Sequence, residues 1–505
     1  MRPIDLLFAL SLLGGVIPHL SPDALAVEAA PRATNFVVIL IDDLGWKDLG
    51  CYGATYYETP NIDQLALDGM RFTDAYAAAA VCSPTRAALL TGRYPARIGI
   101  TDWMRMAPAG TSTQERDPPK EAYENVGEGL LTPKNPFRME LEEQTVAEIL
   151  SESGYKTAQI GKWHLGAETW YPDKQGFSFH RGGSDLGQPP NYFFPFSPKT
   201  SHRLSGFEEG SEGEYLTDRE ADEAVAFIRR HREQPFFLYL SHYAVHTPIQ
   251  AKKDLEAHFQ RKDRGDQKNP AYAAMIASVD QSVGRVLAEL EAQGLRDDTL
   301  VILTSDNGGL ASVTNNAPLR GGKGMPYEGG IRVPLIASWP GVIAPESVSA
   351  TPVSSIDIFP TLLEAADLPI PEDPPIDGES LLGVMEGREE LAREGLFWHF
   401  PHYRGTDAEP YSIVRSGDYK LIRYYDDGRL EVYNLTDDLG EQHNLAETLP
   451  EQTKQLDVLL SKWLLGVGAR MPQPIPELKK ASAKEVGRGD ARSPQNRKAA
   501  QSASR

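Results

Sequence analysis

A large doubly wound α/β domain with a mostly parallel sheet, followed by a smaller C-terminal antiparallel-sheet-plus-helix domain, is the architecture this sequence predicts. Three observations predict it. The runs Phe36-Val37-Val38-Ile39-Leu40-Ile41 and Leu300-Val301-Ile302-Leu303-Thr304 are continuous and apolar, as expected of strands buried on both faces. Helical patterns alternate with such strands through most of the chain, the clearest running from Tyr272 to Gln293 with Ile276, Val279, Val283, Val286, Leu287 and Leu290 on one face. Between Leu396 and Asn444 the pattern changes to short alternating runs split by Gly-Asp and Asp-Asp-Gly turns, the signature of antiparallel hairpins.

At 505 residues the chain suits one large and one small domain. The expected division is 1–26 leader, 27–390 catalytic domain, 391–475 small domain and 476–505 tail. Arg2, the apolar run Leu6 to Ile17 and Ala24-Leu25-Ala26 read as a secretory signal too short to span a bilayer, so an exported protein, periplasmic or extracellular and without a stable membrane anchor, is expected. Residues from Glu477 read as a disordered tail. The net charge of −20 argues against nucleic acid as partner. It does not exclude an anionic substrate held in a locally basic pocket.

Taken in order, the first strand ends in Asp42-Asp43-Leu44-Gly45 and the strand at 300–304 ends in Ser305-Asp306-Asn307-Gly308. Open α/β sheets bind ligands at the carboxyl ends of their strands. Asp42, Asp43, Asp306 and Asn307 together offer only oxygen, a set suited first to Ca²⁺, then to Mg²⁺, and unlike a Zn²⁺ site. Of the two cysteines, Cys51 has no charged neighbour in sequence and is expected as a buried, unpaired thiol. A Cys51–Cys82 disulfide is the alternative. Asn61 is the expected cap of the helix that follows Pro60.

Cys82 opens Cys-x-Pro-x-Arg-Ala-Ala-Leu-Leu-Thr-Gly, a short helix with Pro84 in its first turn and Gly92 at its end. The helix N-terminus and Arg86 would both favour an anion beside Cys82. The stretch 101–137, rich in Pro, Gly and charge without a period, reads as an irregular insertion at a site rim where specificity could reside. A helix from Thr145 to Ser153 and a strand from Thr157 to Ile160 lead into Gly161-Lys162-Trp163-His164-Leu165-Gly166. Two apart, Lys162 and His164 would point the same way if the strand continued.

The segment 172–214 reads as loop and pocket wall. Thr217 and Glu220 have the spacing of a capping box at the head of a helix. The strand Phe236 to Leu240 then leads to His242, expected to be structural, and His246. Further on, glycines surround Lys323 in Arg320-Gly321-Gly322-Lys323-Gly324 and leave room for its ammonium to approach a ligand. His399 and His402 have surface or core roles. A helix from Glu451 to Leu465 would cover the C-terminal sheet.

The Cys82 string, Glu58-Thr59-Pro60-Asn61, Gly161-Lys162-Trp163-His164-Leu165-Gly166, His246-Thr247-Pro248 and Gly322-Lys323 followed by Glu328-Gly329-Gly330-x-Arg332 resemble, in order, the type I sulfatases of the alkaline phosphatase superfamily. The glycine-rich strings are most similar to the arylsulfatase A and N-acetylgalactosamine-6-sulfatase branch. The resemblance implies that Cys82 is oxidised to formylglycine by a formylglycine-generating or equivalent maturation enzyme, and that the hydrated aldehyde is the nucleophile. It further implies that Lys162, His164 and Lys323 contact sulfate, with His246 aligned to the leaving-group histidine. Ca²⁺ would contact residue 82 as well as Asp42, Asp43, Asp306 and Asn307. The expected activity is hydrolysis of a small-molecule or oligosaccharide sulfate ester, with Arg86, Lys162 and Lys323 neutralising the transferring group and His164 or His246 moving protons. A phosphomonoester or phosphonate-ester hydrolase, or an inactive sulfated-glycan binder, are the alternative readings.

Overall fold

The computed structural model describes residues 35–105, 122–197, 203–388, 391–404 and 408–476. The expected signal segment, the first part of the 101–137 insertion and the C-terminal tail fall largely or wholly outside the described residues.

The core is an eight-stranded sheet. In chain order its strands are β1 (Asn35–Ile41), β2 (Met70–Phe72), β3 (Lys156–Gly161), β4 (Phe179–Arg181), β5 (Phe236–Ser241), β6 (Thr299–Ser305), β7 (Leu335–Ser338) and β8 (Ser347–Ser349). Across the sheet the order is β8-β2-β7-β6-β1-β5-β3-β4, and β7 alone runs against the rest. β1 lies at the centre with every residue buried, which is why its sequence is apolar without alternation.

The register decides where the chemistry sits. Ile41 pairs with Ser305, Leu40 with Ser241, and Gly161 with Ser241, so four neighbouring strands end level. The residues just beyond them, Asp42, Lys162, His242 and Asp306, therefore emerge along one edge. Main-chain bonds continue past the strands, from Lys162 N to Ser241 O (2.7 Å) and from Asp42 N to Ala244 O (3.0 Å). Gly161 makes this possible: its φ is +96°, and a Cβ there would lie 2.0 Å from Ser241 O.

Helix α1 spans Pro60–Leu67, α2 Cys82–Thr91, α3 Val146–Glu152, α4 Leu216–His231 and α5 Pro270–Ala292. α2 is buried along its whole length and ends at Gly92 in the left-handed conformation. α5 is capped by Asn269, whose side chain accepts from Ala271 N and Tyr272 N.

Several local expectations are corrected. Asn61 lies inside α1 rather than capping it, and its amide donates to Asp280. α4 begins two residues earlier than a cap at Thr217 would place it, with Tyr215 at the N-cap position, so Thr217 caps nothing and Glu220 turns inward to His242. Capping boxes are found instead at Thr145 with Glu148 and at Ser354 with Asp357. The insertion is not wholly irregular, since Tyr123–Asn125 and Leu130–Pro133 pair and Gln473–Pro474 adds a third strand. The 172–214 stretch contributes β4 to the sheet edge.

The small domain has four antiparallel strands, β9 (Leu396–Phe400), β10 (Tyr411–Ser416), β11 (Tyr419–Tyr424) and β12 (Leu430–Asn434). Helix α6 (Pro450–Gly466) packs Leu456, Leu460 and Leu464 against Val414, Leu421 and Val432. A wholly buried ion network joins the domains: Lys420 Nζ reaches Glu328 at 3.0 Å and Glu441 at 2.8 Å, while Arg332 bonds the other Glu328 oxygen at 3.1 Å.

Candidate active site

The two strand-end pairs meet. Asp43 N donates to Asp306 Oδ1 at 3.2 Å, and Asn307 Nδ2 donates to Asp43 Oδ1 at 2.8 Å. Residues separated by more than 260 positions thus share one pocket because β1 and β6 are neighbours in register. No crosslink consumes Cys82: both cysteines are free. Cys51 is half-buried rather than buried, and Asp63, absent from its sequence neighbourhood, accepts from its N–H at 2.7 Å.

Three cations surround the carboxylates. Lys162 Nζ donates to Asp42 Oδ2 (2.6 Å), Arg86 clamps Asp306 Oδ2 through Nε (2.9 Å) and Nη2 (2.7 Å), and Lys323 Nζ lies 2.6 Å from Asp43 Oδ1. Arg86 and Lys162 are wholly buried. Burial raises the Asp42 carboxyl well above its usual range, and the adjacent Asp306 raises it further, against the pull of Lys162 and Arg86. Burial also pushes Asp43 upward, but Lys323, His246 and Asn307 outweigh it and hold that carboxyl low. Arg86 and Lys162 do the same for Asp306.

Two acceptor oxygens in this cluster have no hydrogen-bond donor: Asp42 Oδ1 and Asn307 Oδ1. Buried, unpartnered oxygens are costly unless something electropositive meets them. Ligand atoms of Asp42, Asp43 and His246 lie within 4.8 Å of one another, so the residues present fit a divalent cation. Three carboxylates already oppose three cationic side chains, and such an ion would leave the site with a surplus of two positive charges. That surplus suits an oxyanion.

Above the cluster is a cavity of about 520 Å³ lined by Cys82, His164, His246 and Lys323. The strand does not continue through Lys162 and His164 as the two-residue spacing assumed: His164 adopts φ +59°. Its Nε2 contacts Met104 O at 2.8 Å, and because a carbonyl can only accept, that nitrogen carries the proton. Nδ1 is then a lone-pair acceptor, buried and unpartnered. Burial, reinforced by Lys162, keeps the ring neutral. His246 Nδ1 lies 2.9 Å from Thr247 O and Nε2 lies 3.6 Å from Asp43 Oδ2. Burial and Lys323 pull its pKa down to about 3. His242 has the expected structural role, bonding Glu220 at 2.6 Å and Ser282 at 3.1 Å.

Sequence reasoning missed several contributors. Ser241 accepts from Arg86 and donates to Lys162 O at 2.9 Å; its place at the end of a buried strand was the only available signal. Trp103 and Arg105, from the stretch expected at a site rim, and Gln188, from the expected pocket wall, line the cavity without having been singled out, and nothing in its local sequence marks Arg404, which joins them.

Comparison with known proteins agrees with this geometry. Residues 34–368 match the Sulfatase family and residues 322–466 the C-terminal region of N-sulphoglucosamine sulphohydrolase. A Formosa agariphila sulfatase is 34% identical, covering 94% of this chain and 97% of its own. Human arylsulfatase A is 33% identical over 85% of this chain and 88% of its own, and human N-acetylgalactosamine-6-sulfatase 34% over 75% and 70%. The crystal structure of Ps i-CgsB in complex with k-i-k-neocarrahexaose superposes with a TM-score of 0.74 at 28% identity, covering 91% of this chain and 98% of that one. The similarity runs through both the parallel sheet and the small domain, and the chain therefore belongs to the sulfatase family and is a sulfuric ester hydrolase.

Proposed function

We propose that this enzyme removes sulfate from a sulfated saccharide, using formylglycine formed from Cys82 and a Ca²⁺ ion held by Asp42, Asp43, Asp306 and Asn307. The observation that carries the reading is the pair of buried, donorless oxygens, Asp42 Oδ1 and Asn307 Oδ1, in a cluster whose donors are mostly oxygen, with His246 the one nitrogen within reach, beside the Cys82 cavity. Oxygen donors favour calcium, then magnesium, over zinc. When present, the cation supplies Lewis acidity and the hydrated aldehyde supplies a geminal diol, one hydroxyl to attack sulfur and one whose proton loss releases sulfate.

The remaining work falls to the side chains. Lys323, at the cavity and paired with Asp43, places an ammonium where sulfate oxygens gather charge. Lys162 and Arg86 act from behind, balancing Asp42 and Asp306 and fixing their orientation. The bare Nδ1 of His164 suits proton acceptance from the second hydroxyl better than donation to sulfate. His246 lies at the cavity where it can serve the departing alkoxide once Nε2 is protonated.

A saccharide substrate is supported by the relatives, among them a structure bound to neocarrahexaose and a sulfatase named for N-acetylgalactosamine 6-sulfate. Export, with conversion of Cys82 by a maturation enzyme, completes the reading. No helix among the described residues is long and apolar enough to cross a membrane.

The test has two parts. Mass spectrometry of the peptide spanning Cys82 should find an aldehyde in place of the thiol, and 4-nitrophenyl sulfate should be cleaved faster than 4-nitrophenyl phosphate. An unmodified thiol in fully active enzyme, or a preference for the phosphate, overturns the proposal.

A further inference from the structure

We propose that Arg404, supplied by the small domain, and Arg105 form a second anion subsite beside the sulfate position, so that the substrate carries a further carboxylate or sulfate on the sugar next to the one cleaved. This inference rests on the sulfatase reading above.

The cavity is far larger than a sulfate group requires and falls within the ~300–1,000 Å³ of pockets that enclose whole organic ligands. Its catalytic floor is Cys82, His164, His246 and Lys323, and its wall includes Trp103, Arg105 and Arg404. A second cavity of about 220 Å³ shares Trp103 and Arg105 with the first and extends past Lys134, Asn135 and Tyr403. The two cavities flank the same Trp103 and Arg105, which places space for further units beside the sugar at the nucleophile. Trp103 is 39% exposed at their junction, and the Arg105 guanidinium stands 5.6 Å from its ring centroid. An open indole face beside a cation suits a charged sugar ring.

Arg404 is the more telling residue. Its Nη1 is buried and has no hydrogen-bond partner. Among the described residues, neither Arg404 nor Arg105 forms an ion pair with a carboxylate, whereas Arg86 and Lys323 are matched. The guanidinium lies over Gly324, next to Lys323; a Cβ at that glycine would sit 2.3 Å from Arg404 Nη1. The glycine following Lys323 thus makes space for Arg404. Asp102 is the nearby acid, but burial pushes its carboxyl up to about 7 against the pull of Arg105 and Arg404. A buried guanidinium nitrogen without an acceptor is costly to keep unless a ligand anion completes it, and the planar fork of arginine matches a carboxylate or sulfate. The cleaved sulfate has Lys323 at the catalytic floor, where it is already matched to Asp43, and this leaves the two arginines for a second charge.

The experiment is calorimetric binding to the full-length Cys82→Ala protein, in which affinity is read without turnover. Three probes are used: chondroitin 6-sulfate disaccharide, the same disaccharide with its uronate reduced to the alcohol, and that reduced form bearing a second sulfate. At least one doubly charged probe should bind about tenfold or more tightly than the singly charged one, and which does so identifies carboxylate or sulfate as the group read. Adding Arg404→Gln or Arg105→Gln should bring that ratio to within about twofold, with Arg404→Lys recovering part of it. A ratio near one before substitution, a ratio that survives both substitutions, equal weakening of all probes, or no binding by either doubly charged probe overturns the inference. Turnover of 4-nitrophenyl sulfate by the protein with Cys82 intact is measured alongside. Its absence would defeat the sulfatase reading while leaving the binding ratio to be judged by itself.

Discussion

Lys162 Nζ donates to Asp42 Oδ2 at 2.6 Å with both side chains wholly buried. The bond spans two strands whose ends the sheet register makes level, and it holds one oxygen of Asp42 while the other stays bare. Lys162→Met would leave that carboxylate facing Asp306 without its ammonium. Removing one partner of a buried pair costs about 3–5 kcal/mol, so a clear fall in melting temperature and loss of sulfate release are expected. A melting curve unchanged from the parent would show that the pair is dispensable.

Metal removal should act through the same cluster. Chelator treatment is expected to lower the melting temperature and abolish turnover, with calcium restoring both and zinc restoring neither. Asn307→Ala removes a bare oxygen without changing charge, and should weaken calcium binding on the order of tenfold or more. Elemental analysis after dialysis against dilute calcium checks it.

Loss of the proposed nucleophile should be felt in chemistry and not in folding. For Cys82→Ala, kcat is expected to fall by a factor on the order of 10⁴–10⁶, the scale seen when a nucleophile is deleted from an otherwise complete site. The small side chain at the head of α2 should leave the far-ultraviolet circular dichroism spectrum intact.

The domain junction offers a separate test. Lys420 lies between Glu328 and Glu441, and Glu328 opens the turn that follows the Lys323 loop. Lys420→Met removes the shared ammonium, so that Glu328 keeps Arg332 and Tyr76 while Glu441 keeps only the Glu328 N–H, a loss of about 3–5 kcal/mol. We expect a lower urea midpoint together with a raised KM, because the loop carrying Lys323 loses its anchor. Stability lost with KM untouched would confine the network to a structural role.

His399 gives a pH signature remote from the chemistry. Burial pulls its pKa down to about 4, partly opposed by its bond to Arg470 O. The unfolded chain takes up this proton near the ordinary value of about 6.5, so between these limits the unfolded state carries more protons and stability falls as pH drops. The full effect is about 3 kcal/mol at the acid end. His399→Gln, which keeps a donor for Arg470 O, should lose less stability than the parent between neutral pH and pH ~4.5. Equal losses in the two proteins would contradict the assignment.

Much of this molecule was legible in one dimension. The apolar runs of β1 and β6, the periodicity of α5 and the alternation of β10 to β12 depend on contacts that every strand or helix of that type must make, so composition and period reveal them. Short elements such as β2, β4 and β8 were not legible, since three residues carry no period. The same holds for the Thr217 spacing, a local cap signal overridden when Glu220 found His242.

By itself the sequence determined that carboxylates would stand at the ends of two buried strands, that Cys82 would open a helix, and which family's chemistry this pattern resembles. Only the tertiary structure decided that Arg86 and Lys162 turn inward to Asp306 and Asp42, that His164 presents Nδ1 without a partner, and that Arg404 reaches the cavity lined by Cys82, His164, His246 and Lys323. The reason is physical. Element type follows from each segment's own side chains, whereas the partner of a buried charge is set by strand register and domain packing, which bring together segments that carry no mark of one another.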